Sequence, residues 1–255
     1  MSNGKHDSRL IWITGASYGL GREVALQLAR RGDRVAVSAR SIDKLKGLAG
    51  EAPESSILPY ELDVTDGQAT ADTVARIEAE HGPIDIALLN AGTHEPVSAD
   101  DFKAEKLRKL VELNLMGTAN CLEPLLATFR NRRRGQIAIV ASVAGYRGLP
   151  TSAAYGATKA GLINMAESLK PECDRVCVKM QIVNPGFVRT PLTDRNPFPM
   201  PFLMEPEDAA AALIRGLDGD GFEITFPKRF TYLLKILRCL PYALYFPMIR
   251  RATKQ

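Results

Sequence analysis

Acidic residues are absent from Pro227 to Gln255, and cysteine and histidine are scarce along the whole chain. The four cysteines (Cys121, Cys173, Cys177 and Cys239) form no C-x-x-C pair, which excludes a zinc ribbon and a thioredoxin-type motif. So little cysteine gives no disulfide framework, and a reducing cytoplasm is the expected compartment. The histidines, His6, His81 and His94, are scattered, so no metal site is expected. The N-terminal MSNGKHDSRL lacks an apolar h-region ending at a small-residue cleavage site, so it reads as a flexible tail over residues 1–8 and not as a secretion signal. There is no internal repeat and no low-complexity segment.

What is present is ordinary globular material. The chain has 255 residues, 45% of them hydrophobic and 24% charged, enough for one large domain and short for two. Apolar β-rich runs alternate with amphipathic helical stretches. Strands are expected at 10–14, 34–39, 57–62, 84–89, 136–142, 178–183 and 222–226. Helices are expected at 19–31, 42–48, 66–81, 99–129 (one long or two joined), 153–169 and 206–217. Apolar strands alternating with helices predict an α/β fold: one doubly wound Rossmann-type domain, a central parallel sheet of about seven strands covered on both faces. That domain spans residues 9–226.

The first strand runs into Thr14-Gly15-Ala16-Ser17-Tyr18-Gly19-Leu20-Gly21. Glycine serves where the chain turns tightly and a pyrophosphate approaches the backbone. The following helix aims its positive end at that phosphate. Strand, glycine turn and helix in this order predict a dinucleotide site. The second strand ends Ser38-Ala39-Arg40-Ser41, with no carboxylate to read a ribose 2′-hydroxyl. A guanidinium there fits a 2′-phosphate, which favours NADP(H) over NAD(H).

With Asp63-Val64, Asn90-Ala91-Gly92, Asn114, Ser142, Tyr155-x-x-x-Lys159 and Pro185-Gly186 following in order, the chain resembles the short-chain dehydrogenase/reductase family from about residue 9 to about residue 226. The resemblance implies that Gly15, Ser17, Tyr18, Gly19, Leu20 and Gly21 hold the cofactor. It puts Asp63 and Val64 against the adenine, and Asn90, Ala91 and Gly92 under the central sheet and cofactor. It sets Pro185, Gly186, Val188 and Thr190 along the nicotinamide. It also implies that Asn114 holds a water in a proton relay reaching Lys159. Tyr18 is a departure, because NADP(H)-using relatives often carry a basic residue there, so Arg40 carries the phosphate argument.

Tyr155 and Lys159 lie four apart on an expected helix, which brings them to one face about 6 Å apart along the axis. A free tyrosine titrates near pH 10, and a neighbouring cation is expected to lower that toward the working range. Ser142, thirteen residues earlier at a strand end, would bond the carbonyl oxygen. The predicted reaction is hydride transfer between NADPH and a carbonyl, with Tyr155 as acid/base and no metal.

Substrate choice is assigned to residues 190–206, where Pro191 to Met204 is rich in Pro, Phe and Met and an adaptable apolar lid is possible. Phe198 and Phe202 are its candidate contacts, alongside Ser142 and Tyr155, and the expected substrate is a hydrophobic, lipid-like carbonyl or alcohol. The net charge of +4 resides in residues 227–255, which carry seven Lys and Arg; the rest carries 26 basic and 29 acidic residues. That segment reads as a pocket cap, an oligomer contact or a membrane-surface element, with the location then peripheral at the inner face of the membrane. Its prolines and charges argue against spanning. Nucleic-acid binding lacks any accompanying module. Arg130, Arg132, Arg133 and Arg134 read as solvated cations at a helix end. A homodimer or homotetramer is expected by analogy. The alternatives are a nucleotide sensor without turnover, a membrane-surface interaction protein on the same fold, and an epimerase or dehydratase without net redox.

Overall fold

The computed structural model describes residues 8–191, 193 and 200–253. Residues 1–7 of the expected N-terminal tail lie outside this set. Seven strands form one sheet: β1 (Leu10–Thr14), β2 (Arg34–Ala39), β3 (Ile57–Glu61), β4 (Ile86–Leu89), β5 (Gly135–Val140), β6 (Val178–Pro185) and β7 (Glu223–Phe226). Their order is β3-β2-β1-β4-β5-β6-β7, and every neighbouring pair is parallel. The order reverses between β1 and β4, so a crevice opens beyond their carboxyl ends, where open α/β sheets bind ligands.

Alternation along the strands divides the core. Ile11 and Ile13 face one layer, with α1 (Gly19–Arg30), α2 (Ile42–Gly50) and α7 (Pro206–Asp218) packed on it through Val24, Leu45 and Leu213. Leu10 and Trp12 face the other, with α3 (Gly67–His81), α5 (Gly117–Arg132) and α6 (Ala153–Arg175) packed through Ile77, Phe129 and Leu162. β1 is buried along its whole length, as a strand covered on both faces must be.

Three expectations need correction. The helical run expected at 99–129 is α4 (Ala104–Leu110), a π-helical turn (Val111–Met116) and α5 in direct succession. The widened turn carries Asn114, fully buried in an otherwise apolar run. The helix expected to stop at Leu169 runs through Pro171 to Arg175, because Cys173 is buried in the core and Lys170 pairs with Asp174 across the proline. Arg132 is no solvated cation: it donates to Glu78 Oε1 at 2.7 Å and to the carbonyl of Ile84, tying α5 to α3 and to the approach to β4.

Beyond β7 the chain forms a helical hairpin, α8 (Lys228–Arg238) and α9 (Tyr242–Thr253), broken at Pro241. Arg147 anchors it. Its guanidinium donates to the carbonyls of Leu237 at 2.9 Å, Arg238 at 3.0 Å and Leu240 at 2.6 Å. The first two are end carbonyls of α8, which the helix cannot satisfy internally, and the third belongs to the turn before α9. The same guanidinium lies 3.8 Å above the Tyr245 ring centre, and Tyr245 donates to the carbonyl of Gly148 at 2.5 Å. Lys235 pairs with Glu223, which also accepts from Tyr146 at 2.5 Å and Asn184 at 2.8 Å. No helix among the described residues is long and apolar enough to cross a membrane.

Candidate active site

The glycine turn follows β1 as expected. Gly15 has φ +68° and Gly19 has φ +55°, both in the left-handed region that side chains disfavour. A Cβ at Gly15 would meet the Ala91 backbone at 2.7 Å, and one at Gly19 would meet Thr190 Cγ2 at 2.8 Å. A Cβ at Gly21 would fall inside the Asn90 amide. The turn is therefore enclosed by the ends of β4 and β6, and its glycines keep the backbone bare. Ser17 is half-buried in the turn, Tyr18 is exposed and Leu20 is buried beneath it. Tyr18 caps α1 without a side-chain bond, so the first-turn amides have no acceptor from the cap. That cradle fits a pyrophosphate, which is the test these residues had to meet for a dinucleotide.

Asn90 has a framing role. Its side chain donates to the carbonyls of Thr14 and Gly15, both at 3.1 Å. Thr14 Oγ1 in turn accepts from the backbone N–H of Asn90 at 3.0 Å and of Ala91 at 3.1 Å. Thr14 carried no expected role beyond opening the motif; its hydroxyl ties the two strand ends that flank the crevice.

Ser142, Tyr155, Lys159, Asn114 and Gly92 converge. Ser142 follows β5 and caps the 3₁₀ turn Val143–Gly145, accepting from Ala144 N–H at 3.1 Å. That turn lies directly on α6: a Cβ at Gly145 would meet the Lys159 backbone at 2.7 Å, and one at Gly156 would meet the Ala144 carbonyl at 3.1 Å. Two glycines thus let turn and helix touch, which sets the Ser142 hydroxyl beside the Tyr155 phenol. A Cβ at Gly92 would lie 3.2 Å from Asn114 Oδ1 and 3.6 Å from Lys159 Nζ.

The Asn114 side chain is bonded at both ends. Its oxygen accepts from Thr93 N–H at 2.7 Å, and its amide donates to the Thr93 carbonyl at 2.9 Å and to Thr158 Oγ1 at 3.2 Å. Thr158 donates to the Tyr155 carbonyl at 2.8 Å, so Asn114 is joined to α6 between tyrosine and lysine. The His94 ring meets the Tyr155 ring edge-on, with centres 4.7 Å apart. His94 was expected to be one of three scattered histidines, and only tertiary folding reveals its place.

The electrostatics correct one expectation. Tyr155 is not lowered by a neighbouring cation; burial pushes it up to about 12, and the Ser142 hydroxyl pulls back against that. Lys159 Nζ is 5.6 Å from the tyrosine ring centre and donates to the Val140 carbonyl at 2.8 Å. Burial lowers Lys159 itself to about 8.

The remaining expected residues lie around this cluster. Arg40 is exposed at the end of β2. Lys44, on the first turn of α2, stands 4.1 Å over the Tyr18 ring, a second cation at that end which sequence spacing alone did not reveal. Asp43 is the acidic residue of the same turn. Asp63 follows β3, is exposed and accepts from Thr65 N–H at 3.0 Å. Val64 is buried against Gly117. Pro185 ends β6, Gly186, Val188 and Thr190 follow it, and Arg189 N–H donates to the Met204 carbonyl at 2.9 Å, closing the base of the loop. Phe198 lies outside the described residues. Phe202 is exposed and stacks at 5.8 Å on Phe230, which stands 5.5 Å from Phe187.

The family model for short chain dehydrogenases matches residues 9–197. An uncharacterized oxidoreductase of Myxococcus xanthus is 38% identical over 245 residues, covering 95% of this chain and 97% of that one. The 3-oxoacyl-(acyl-carrier-protein) reductase MabA of Mycobacterium bovis is 33% identical over 190 residues, 73% of this chain and 72% of that one. Among solved structures, a short-chain dehydrogenase from Streptomyces avermitilis superposes with a TM-score of 0.80 at 27% identity, covering 90% of this chain and 92% of the other. The chain belongs to the short-chain dehydrogenase family and is an oxidoreductase of the kind that uses a nicotinamide dinucleotide on CH–OH groups.

Proposed function

We propose that this protein is an NADPH-dependent reductase that interconverts a carbonyl and a secondary alcohol on a hydrophobic, lipid-like substrate. The observation that carries the chemistry is the packing of the Ser142 turn on α6, at the helix face that bears Tyr155 and a buried Lys159. When bound, the dinucleotide supplies the hydride. Gly15, Ser17, Tyr18, Gly19, Leu20 and Gly21 hold its pyrophosphate, with Asn90, Ala91 and Gly92 beneath and Pro185, Gly186, Val188 and Thr190 along the nicotinamide. Asp63 and Val64 take the adenine side.

Tyr155 gives its phenolic proton to the substrate oxygen, and Ser142 donates a hydrogen bond to the same oxygen as charge grows on it. Lys159, with a proton affinity tuned by burial to about pH 8, returns the proton to the tyrosine. Asn114 ties the segment after β4 to α6: it bonds the Thr93 backbone and the Thr158 hydroxyl, which in turn bonds the Tyr155 carbonyl. NADPH is favoured by Arg40 and Lys44, two cations where a 2′-phosphate would lie. A hydrophobic substrate is favoured by the Phe187, Phe230 and Phe202 stack beside the loop after β6. The name of the MabA relative points to acyl chains bearing a 3-oxo group.

The test is a fluorescence titration with NADPH and NADH, followed by NADPH consumption with long-chain 3-oxoacyl thioesters and with short polar ketones. Preference for NADPH and for the long chains supports the reading. Binding of neither cofactor sinks it. The same reading includes a homodimer or homotetramer in the cytoplasm, which light scattering and cell fractionation check.

A further inference from the structure

We infer that the outer face of the α8–α9 hairpin docks on an anionic lipid surface and holds the substrate mouth against it. On α8, Phe230 and Thr231 are buried, while Tyr232, Leu233 and Ile236 point outward, Ile236 being 65% exposed. On α9, Tyr245 turns inward and Tyr242, Leu244, Phe246 and Met248 are exposed, Tyr242 by 70%. Elsewhere among the described residues, the exposed large apolar side chains are Tyr18, Phe102, Met116 and Phe202, separated along the chain. Seven exposed large apolar side chains gathered on one short hairpin mark a surface that something covers.

The charges say what covers it. Residues 227–255 carry seven Lys and Arg and no Asp or Glu. Lys235 is spent on Glu223, but Lys228, Arg229, Arg238, Arg250 and Arg251 are exposed around the apolar side chains. A second copy of this face would set cation against cation, which costs binding energy. An anionic headgroup layer offers the opposite charge, with acyl chains beneath for the aromatics. The hairpin is short and proline-broken, so it lies on the layer and does not cross it.

The hairpin is held as a platform by Arg147, Tyr245 and Lys235. It is continuous with the site. Phe230 of α8 stacks between Phe187, just past β6, and half-exposed Phe202 of the loop that returns to Met204. A Cβ at Gly186 would lie 2.9 Å from Phe230, so an amphiphile leaving the layer would meet these rings beside the segment that follows β6. Docking stands independently of the chemistry; delivery of substrate rests on the reductase reading.

The experiment is flotation of the full chain with vesicles of phosphatidylcholine alone and of phosphatidylcholine mixed with phosphatidylglycerol, at low and raised salt. The protein is expected to float with the anionic vesicles, to be released by salt, and to stay behind with the neutral ones. Arg229→Gln and Arg250→Gln are each expected to weaken binding about fivefold. Ile236→Ser with Phe246→Ser is expected to abolish it. NADPH titration of the same samples shows that each variant is folded and reports separately on the reductase reading. No flotation with anionic vesicles overturns the proposal, as does flotation unchanged by the four substitutions. A dimer that Ile236→Ser converts to monomer, without vesicle binding, overturns it in favour of a subunit contact.

Discussion

The Lys159 ammonium stands 5.6 Å from the Tyr155 ring centre and donates to the carbonyl of Val140 at 2.8 Å, the residue two before Ser142. The lysine thus bonds to the end of the strand that delivers the serine. In the protein without cofactor the tyrosine is a weak acid, raised by burial to about 12, and the lysine is the group that titrates near neutrality, at about 8.

A pH profile follows. The folded pKa of Lys159 lies below its unfolded value, so the free enzyme loses the ammonium as pH rises through about 8. kcat/KM for carbonyl reduction is expected to fall by one proton's dependence above that pH. In Lys159→Gln the residual rate should show no such inflection. An unshifted inflection in the variant would assign the limb to another group.

The same lysine costs stability. Below pH 8 the folded state must hold a buried cation, a penalty that lifts between about pH 8 and the unfolded value of 10.5. Lys159→Met is therefore expected to stabilise the fold at pH 7 by about 1–3 kcal/mol while abolishing turnover. Chemical denaturation at pH 7 and pH 10 checks it, because most of the gain should be lost at the higher pH.

Tyr155→Phe keeps the ring, its edge contact with His94 and its packing, and removes the transferable proton. Turnover is expected to fall by a factor of about 10² to 10⁴ with NADPH binding intact. Ser142→Ala should also lose rate and, because the hydroxyl caps the turn at Ala144, about 1 kcal/mol of stability. A nucleotide sensor without catalytic function would show no effect of Tyr155→Phe on any turnover.

At the adenosine end, Arg40→Ala and Lys44→Ala are each expected to weaken NADPH binding about tenfold and to leave NADH binding unchanged. Equal losses for both cofactors would mean that the two cations read the shared pyrophosphate.

Two glycines separate strain from collision. Gly32 has φ +100° with nothing near a Cβ, so Gly32→Ala should cost about 1–2 kcal/mol and leave cofactor binding alone. Gly15→Ala meets the Ala91 backbone as well and should lose both stability and NADPH affinity, read by denaturation and titration.

The strands, the glycine turn and the pairing of Tyr155 with Lys159 were legible because each is written in local spacing: apolar runs, a turn residue type, a four-residue interval. The π-helical turn at Asn114 was not, since inserting one residue into a turn leaves an apolar run looking continuous. The helix over 153–169 runs on to Arg175, past Pro171, because the bond the proline forfeits is outweighed by Cys173 in the core. Lys44 on Tyr18, His94 on Tyr155 and Arg147 on α8 join residues 26, 61 and 90 or more positions apart, and no periodicity encodes such meetings. The direction of the tyrosine's shift was missed because spacing reports neighbours and not the water they exclude.

Arg147 grips the hairpin by three main-chain carbonyls and two rings, and it touches none of the outward side chains of α8. The carbonyl part of this clasp is indifferent to the side chains that α8 turns outward. Mutation can recast Tyr232, Leu233 and Ile236 wholesale while the attachment, and the Ser142 turn five residues upstream of the clasp, stay where they are. The outward face of α8 is therefore open to new surroundings at no expense to the catalytic frame.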